Sequence, residues 1–146
     1  NAEAILGEVD FVSIGTNDLT QYTMAADRLL GDLAHLNNPW QPAVLKMIKM
    51  TVEGAQRASV TAGKKKYVSV CGEAAADPAL AVVLIGLGVD TLSMNAGAIP
   101  AVAAVLKSVT KEKAQQIAAI ALQQISSAEA KESARKALPI LDELGL

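Results

Sequence analysis

Apolar residues occur along the chain in two kinds of pattern, short runs typical of buried strands and longer stretches with helical periodicity. Phe11–Gly15, Tyr67–Cys71 and residues 91–94 are short apolar runs, and each predicts a strand. Pro42–Ala62 has apolar residues near the helical period and is followed by Gly63, a natural helix stop. The pattern therefore predicts alternating strands and helices.

Capping residues mark the helices of the second half of the chain. Asp77 before Pro78 predicts a helix start, and Gly88 predicts the end of the same apolar helix. Three further helices are expected, over residues 99–109, from Thr110 to about residue 125, and after Ser126, which forms a capping box with Glu129. Pro139 should bend or shorten the last of these helices.

Strands that alternate with helices favour a parallel α/β arrangement built through right-handed crossovers. In such folds, ligands bind on the loops that follow the carboxyl ends of the strands. The three loops in question begin with Gly15-Thr16-Asn17-Asp18, Cys71-Gly72-Glu73 and Asn95-Ala96-Gly97. Their polar residues are expected to form the rim of an active site.

Composition limits the classes of partner. The chain has 146 residues, of which 51% are hydrophobic and 19% charged, which suits one soluble, folded domain. A net charge of -2 and an aromatic content of 3% give no support for a nucleic-acid or anionic-membrane partner. The basic run at residues 64–66 is expected to be a solvated helix end.

Cysteine content and the longest apolar run bear on location. The single cysteine, Cys71, excludes an internal disulfide and is typical of a reducing compartment, so we expect a cytoplasmic protein. The longest apolar run, residues 80–87, is far shorter than the roughly 20 residues that span a bilayer, and no signal peptide is visible. We expect no membrane insertion. The chain begins with Asn1 rather than Met, as a piece of a longer polypeptide would.

Each polar residue of the predicted rim also has a structural interpretation. Asn17 and Asp18 are common turn residues, and a lone cysteine such as Cys71 is more often a small buried hydrophobe than a catalyst. Arg28, beside an aspartate, suits a surface ion pair, and His35 has no visible partner. Single residues therefore do not decide the function.

Trp40, which lies between two prolines, is expected to pack a loop against the core.

The combination of three motifs is more specific. The stretch "IGTNDLTQYTMAADR", then "CGEAAADP", then "LGVDTLSMNAGAIP" resembles, in the same order, the C-terminal part of Enzyme I of the bacterial phosphoenolpyruvate-dependent sugar phosphotransferase system. The resemblance covers the chain from about Asp10 to the last helix. Pyruvate phosphate dikinase and phosphoenolpyruvate synthase share the Asn-Asp pair and the cysteine, but "TMAADR" and the residues after Cys-Gly are more like Enzyme I.

The resemblance implies a role for each matching residue. Asp18 would be a ligand of Mg²⁺, Asn17 would contact phosphoenolpyruvate, and Arg28 would bind its phosphate. Together they would neutralise charge that moves as the phosphoryl group leaves. Cys71 would be the acid that protonates the enolpyruvate carbon to give pyruvate.

The resemblance also implies a fold, and it implies that several parts of the enzyme lie outside this chain. The expected fold is the C-terminal portion, about three βα units, of a TIM-type (β/α)8 barrel, with residues 1–146 forming part of a single phosphoenolpyruvate-binding domain. The acceptor histidine, a second metal ligand, two arginines and the region that binds the histidine-containing phosphocarrier protein would lie elsewhere in the enzyme. His35 is not expected to be the acceptor. The chain alone should be inactive, and the enzyme should be a homodimer.

Three alternatives remain open from the sequence. The chain is also compatible with a fragment of pyruvate phosphate dikinase or phosphoenolpyruvate synthase. A second alternative is a dimerisation module without catalytic function. The third is an independent flavodoxin-like domain that binds a nucleotide, which the absence of a glycine-rich phosphate-binding motif disfavours.

Overall fold

Three parallel strands form a single sheet in the computed structural model, which describes residues 1–27 and 29–146. They are Phe11–Gly15 (β1), Tyr67–Cys71 (β2) and Thr91–Ser93 (β3), and β2 lies in the centre. Each strand therefore pairs with the next strand along the chain, as the predicted crossovers require. The fold is α/β, and the third strand ends one residue earlier than predicted.

Helices make up most of the described chain. The helix that begins at Pro42 and the helix after Asp77 have the predicted bounds, and the next two helices after β3 are a little shorter than predicted. The helix after Ser126 ends before Pro139, as predicted. Two 3₁₀ helices cover Gly31–Leu36 and Ala96–Ala98. The α-helices are Ala2–Glu8 (α1), Thr16–Met24 (α2), Pro42–Ala62 (α3), Glu73–Ala76 (α4), Pro78–Leu87 (α5), Ile99–Lys107 (α6), Lys111–Leu122 (α7), Ser127–Lys136 (α8) and Ile140–Glu143 (α9).

The two faces of the sheet have different environments. Ile14, Val68 and Val70 are buried in the hydrophobic core that the sheet shares with α3 and α5. Because side chains alternate along a strand, the intervening residues lie on the opposite side of the sheet. We call this side the open face; its residues are Phe11, Ser13, Gly15, Tyr67, Ser69, Cys71, Thr91 and Ser93. Phe11 is 63% exposed and Tyr67 is 51% exposed, so the described chain leaves this face largely uncovered.

Helix α5 is the centre of the core. Six consecutive residues, from Ala79 to Leu84, are fully buried, because α5 packs against α6, α7 and α8. The closest approach is at Gly86, where an added Cβ would lie 2.1 Å from the carbonyl oxygen of Ala114 in α7. A helix that is apolar on all sides is thus covered on all sides. No helix in the described residues combines the length and apolar character needed to cross a membrane.

The basic run at residues 64–66 does not form a uniformly solvated helix end, which corrects the sequence-based expectation. Lys64 and Lys65 are exposed and pair with Asp10 and Asp90. Lys66 is only 8% exposed, and its Nζ donates to the carbonyl oxygens of Val9 at 2.7 Å and Gly7 at 3.5 Å. This lysine satisfies carbonyls at the end of α1, where the helix itself supplies no donors.

Candidate active site at the strand ends

The carboxyl ends of the three strands form one row across the sheet. Gly15 of β1 is in register with Cys71 of β2, which is in register with Ser93 of β3. All three belong to the open face, and Cys71 stands in the middle of the row. Because Gly15 has no side chain, the space beside Cys71 on the β1 side stays accessible.

Asn17 and Asp18 lie on a helix rather than in a loop, which corrects the turn interpretation. Helix α2 begins at Thr16, directly after β1, so both residues belong to its first turn. Both are exposed, and a Cβ placed on Gly15 would lie 3.7 Å from the Asp18 Oδ2. Within the described residues the Asp18 carboxylate has no ion-pair partner, so its oxygens are available to a ligand.

Cys71 is held at the top of the central strand. Its side chain is half-buried, and its Sγ lies 3.6 Å from the Ile14 carbonyl oxygen. The next residue, Gly72, has φ 95° and ψ -153°, a conformation that is essentially confined to glycine. Its N–H donates to the Ser93 carbonyl oxygen at 3.0 Å. The chain therefore turns sharply after the thiol and leads into α4 at Glu73.

A cavity of about 290 Å³ lies beside these residues and is lined by Asn17, Thr20, Asn37, Pro39 and Glu73. It brings together the segment after β1 and the segment after β2. In the described chain, the buried side-chain polar atoms without a hydrogen-bond partner are the Thr16 Oγ1 and both amide atoms of Asn37. Buried polar groups usually have partners, and a bound ligand or an ordered water would satisfy the Asn37 amide, which lines this cavity.

Sequence reasoning missed two of these residues. Asn37 stands in an Asn-Asn-Pro stretch, a sequence that is typical of an ordinary turn, and Thr16 belongs to the first predicted rim loop without any feature that singles it out. Nothing in the local sequence distinguishes an amide that is buried without a partner from one in solvent. That property depends on contacts with residues distant in sequence.

The other predicted residues have varied positions. Arg28 lies outside the described residues. His35 is exposed on the 3₁₀ helix after α2 and does not line the cavity. In the third loop, the Asn95 Oδ1 accepts a hydrogen bond from the Ala98 N–H at 3.0 Å, which is a capping role. Asn17, Asp18 and Cys71 are thus the predicted site residues that the structure places at the strand ends.

The residues present are compatible with a magnesium ion held mainly by a substrate. The described chain has no cluster of three or more histidine, cysteine or acidic residues suited to a metal. Magnesium often binds through only one or two carboxylates plus water and substrate phosphates. An exposed carboxylate such as Asp18, with open space beside it at Gly15, fits that mode of binding.

Comparison with known proteins shows the family of the chain. Residues 1–111 match the family model described as PEP-utilising enzyme, PEP-binding domain. The chain is 46% identical over 137 residues to the phosphoenolpyruvate-protein phosphotransferase of Streptomyces coelicolor, covering 94% of this chain and 24% of the relative. It is 45% identical over 116 residues to the enzyme of that name from Geobacillus stearothermophilus, covering 80% of this chain and 19% of the relative.

The enzyme of the same name from Haemophilus influenzae is 40% identical over 129 residues, which cover 88% of this chain and 21% of the relative. The chain thus spans about a quarter or less of the length of these relatives. The match over residues 1–111 and the identities to these relatives show the family. The chain belongs to the PEP-binding domain family of the PEP-utilising enzymes.

Proposed function

We propose that this chain is part of the phosphoenolpyruvate-binding catalytic domain of an Enzyme I. The complete enzyme would transfer the phosphoryl group of phosphoenolpyruvate to one of its own histidines and then to a histidine-containing phosphocarrier protein, for sugar uptake. The observation that carries the proposal is the convergence of Asn17, Asp18 and Cys71 at the strand ends, beside buried polar groups without partners. The names of the relatives support the same reaction.

The domain would be a TIM-type (β/α)8 barrel, of which residues 1–146 supply the C-terminal three βα units. Three sequential parallel strands with helices on one side are the repeating pattern of such a barrel. The open face of the sheet would then be the barrel interior, closed by strands from the rest of the polypeptide. A barrel of this kind carries its active site at the carboxyl ends of the strands, where Cys71 lies.

Asn17, Asp18 and Arg28 would bind the substrate. Phosphoenolpyruvate carries a carboxylate and a phosphate, so it requires amide donors, a cation and a guanidinium. The Asp18 carboxylate would hold Mg²⁺, and the ion would neutralise charge on the transferring phosphoryl group. The Asn17 side chain would orient the substrate from the same helical turn. Arg28, ten residues further along, would contribute bidentate contacts to the phosphate.

Cys71 would act after the phosphoryl group has left. Cleavage of the bond between phosphorus and the enol oxygen leaves enolpyruvate, and the phosphoryl group passes to the histidine nitrogen. The Cys71 Sγ–H then delivers its proton to the terminal carbon of the enolate left by that cleavage, which gives pyruvate and a thiolate that solvent reprotonates. A thiol in the middle of the row formed by Gly15, Cys71 and Ser93 can approach a planar enol from the open side.

The remaining properties follow from the same assignment. The acceptor histidine and the carrier-binding region would lie in other parts of the enzyme, so this chain alone should not transfer the phosphoryl group. The enzyme would be a cytoplasmic homodimer. Strands β1 and β3 form the edges of the described sheet, and such edges favour association with further strands.

Asp18→Asn tests the proposal in the complete phosphotransferase that carries this domain. The variant keeps the shape of the side chain but removes the negative metal ligand, so Mg²⁺ affinity and the rate of phosphoenolpyruvate-dependent histidine phosphorylation should fall by about tenfold to a hundredfold or more. Asp32→Asn, at an exposed aspartate of the first 3₁₀ helix, is the matched control and should retain the wild-type rate. Wild-type kinetics for Asp18→Asn would contradict the proposal.

A further inference from the structure

The indole of Trp40 makes a polar contact that links the two site-bearing segments. Trp40 is 2% exposed, and its Nε1 donates to the Asp77 Oδ2 at 3.0 Å. The other oxygen of the same carboxylate, Oδ1, accepts from the N–H groups of Ala79 and Leu80, at 2.9 and 3.1 Å, and so caps α5. Asp77 therefore has one oxygen for helix capping and one for the tryptophan.

On one side of this contact lies the turn that presents Asn37. The Trp40 N–H donates to the Asn38 Oδ1 at 3.0 Å, and the Gln41 N–H donates to the Asn38 carbonyl oxygen at 3.0 Å. Trp40 is thus fixed to the same turn from which Asn37 and Pro39 line the cavity beside Asn17. The position of the buried Asn37 amide depends on where Trp40 is anchored.

On the other side lies the short connection to the thiol. Helix α4 is a single turn, in which the N–H of Ala76 donates to the Gly72 carbonyl oxygen and that of Asp77 donates to the Glu73 carbonyl oxygen. Asp77 follows Cys71 by only six residues, and Glu73, within that connection, lines the cavity opposite the Asn37 turn. A displacement of Asp77 would therefore move the Glu73 wall of the cavity.

We infer that Trp40 and Asp77 are positioning residues, whose hydrogen bond fixes the spacing between the Asn37 turn and the Cys71–Glu73 segment around the substrate. The inference rests on the proposed function for the identity of the substrate. Lys131 of α8 has its Nζ 4.0 Å from the Asp77 Oδ2, so the C-terminal helices border the same contact. At that separation, and with its side chain 48% exposed, Lys131 contributes little.

Two substitutions break the hydrogen bond from opposite ends. Trp40→Phe retains most of the aromatic packing and removes the donor. Asp77→Ser retains an oxygen that can cap α5 but does not reach the indole. In the complete phosphotransferase, each should lower kcat/KM for phosphoenolpyruvate by about tenfold, since small misplacements of site walls have effects of this order. The double variant should fall no further than either single variant, because both remove the same contact.

Ile117→Val is the control for a general loss of stability. Ile117 is fully buried in α7, and the substitution weakens the core without altering the loops at the strand ends. Its kcat/KM should stay within about twofold of wild type. Effects of Trp40→Phe and Asp77→Ser that multiply in the double variant, or values as small as those of Ile117→Val, would overturn the inference.

Amide hydrogen exchange of the 146-residue chain separates the inference from the proposed function. In Trp40→Phe, exchange should become at least tenfold faster at Ala76 and Asp77 and at Gln41, on both sides of the lost bond, but not in α7. Unchanged exchange at these amides would overturn the inference whatever the substrate is. A wild-type enzyme that takes no phosphoryl group from phosphoenolpyruvate would instead contradict the proposed function, and the exchange result would still decide whether the hydrogen bond orders both segments.

Discussion

The two faces of the three-stranded sheet show how adjacent residues of one strand serve different purposes. Val70, on the covered face, has no exposed surface, whereas its neighbour Ser69 on the open face is only half-buried. The covered face is entirely aliphatic. The open face mixes serine, threonine and large aromatic side chains and ends at its carboxyl edge in the row formed by Gly15, Cys71 and Ser93.

One side of the sheet packs the hydrophobic core, whereas the other side presents the candidate site residue Cys71. Packing against α3 and α5 depends on the aliphatic side, which is complete within the described chain. The other side contains a cavity of about 410 Å³, lined by residues of all three strands and by Asp10, Lys64 and Lys65. Substitutions on the covered side should therefore alter folding, and those on the open side should alter mainly function.

The largest effect on stability is expected at the closest contact of the covered side. Gly86→Ala would place a methyl group 2.1 Å from the Ala114 carbonyl oxygen, so α5 and α7 must separate. We expect a loss of about 3 kcal/mol or more in the free energy of unfolding, measured by urea denaturation. Gly7→Ala is the control, because its methyl group would meet no atom within 4 Å. A Gly86→Ala chain as stable as Gly7→Ala would show that the two helices are not in tight contact.

Substitutions at neighbouring residues of β2 should lower the free energy of unfolding by different, smaller amounts. Val70→Ala removes two methyl groups from the buried face and should lower the free energy of unfolding by about 2 kcal/mol. Ser69→Ala removes only a long hydrogen bond, of 3.3 Å, from Oγ to the Val12 carbonyl oxygen and should cost about 0.5 kcal/mol or less. Thermal and urea unfolding of both variants measure the difference. Equal losses would remove the distinction between the two faces.

The smallest effect concerns an ion pair at the rim of the open face. The Lys64 ammonium, by its hydrogen bond and its charge, lowers the pKa of Asp10 from its ordinary value of 3.8, and the charge of Lys66 adds to this. The stabilisation that this ion pair gives the folded chain is therefore fully present above pH 3.8, the ordinary pKa of the carboxyl. It is lost as the pH falls through the lower pKa that Asp10 has in the folded state.

NMR titration of the Asp10 carboxyl in Lys64→Met measures this effect. The pKa of Asp10 should rise toward its ordinary value, while the stability of the chain near neutral pH should barely change, because the pair is fully exposed. An unchanged pKa of Asp10 in the variant would show that Lys64 is not its partner in solution.

Much of the fold was predictable because it depends on local chemistry. The strands Phe11–Gly15 and Tyr67–Cys71 and the helix Pro42–Ala62 have the predicted bounds. Gly63 ends its helix with φ 61°, and Gly88 ends α5 with φ 100°. These features follow from alternating apolar residues and from glycines that accept a left-handed conformation.

Other features depend on contacts that a sequence does not show. Helix α2 was missed because "TNDLTQYTM" contains several residues that disfavour helix interiors. The distinct position of Lys66 among three identical lysines depends on carbonyls of α1, more than fifty residues away. Trp40 was expected to pack down a loop, which is confirmed, but its hydrogen bond to Asp77 connects residues 37 positions apart.

The candidate site was only partly predictable. Motif resemblance selected Asn17, Asp18 and Cys71, and parallel α/β topology placed them at one edge of the sheet. The cavity forms where Asn17, Thr20, Asn37 and Pro39 of the segment after β1 meet Glu73 of the segment after β2, and the Asn37 amide is buried there without a partner. No property of the Asn-Asn-Pro sequence by itself indicates that arrangement.

We propose that the thiol in the middle of the strand-end row supplies the proton to enolpyruvate, and exchange of the pyruvate methyl protons with solvent is the sharpest test of that role. In the complete enzyme with Mg²⁺, Cys71→Ala should abolish deuterium incorporation into pyruvate, followed by NMR, while stability changes by only about 1 kcal/mol. Ser133→Ala, at a half-buried serine of α8 that lies outside the strand-end segments, is the control and should exchange at the wild-type rate. Exchange by Cys71→Ala at the wild-type rate would contradict the claim.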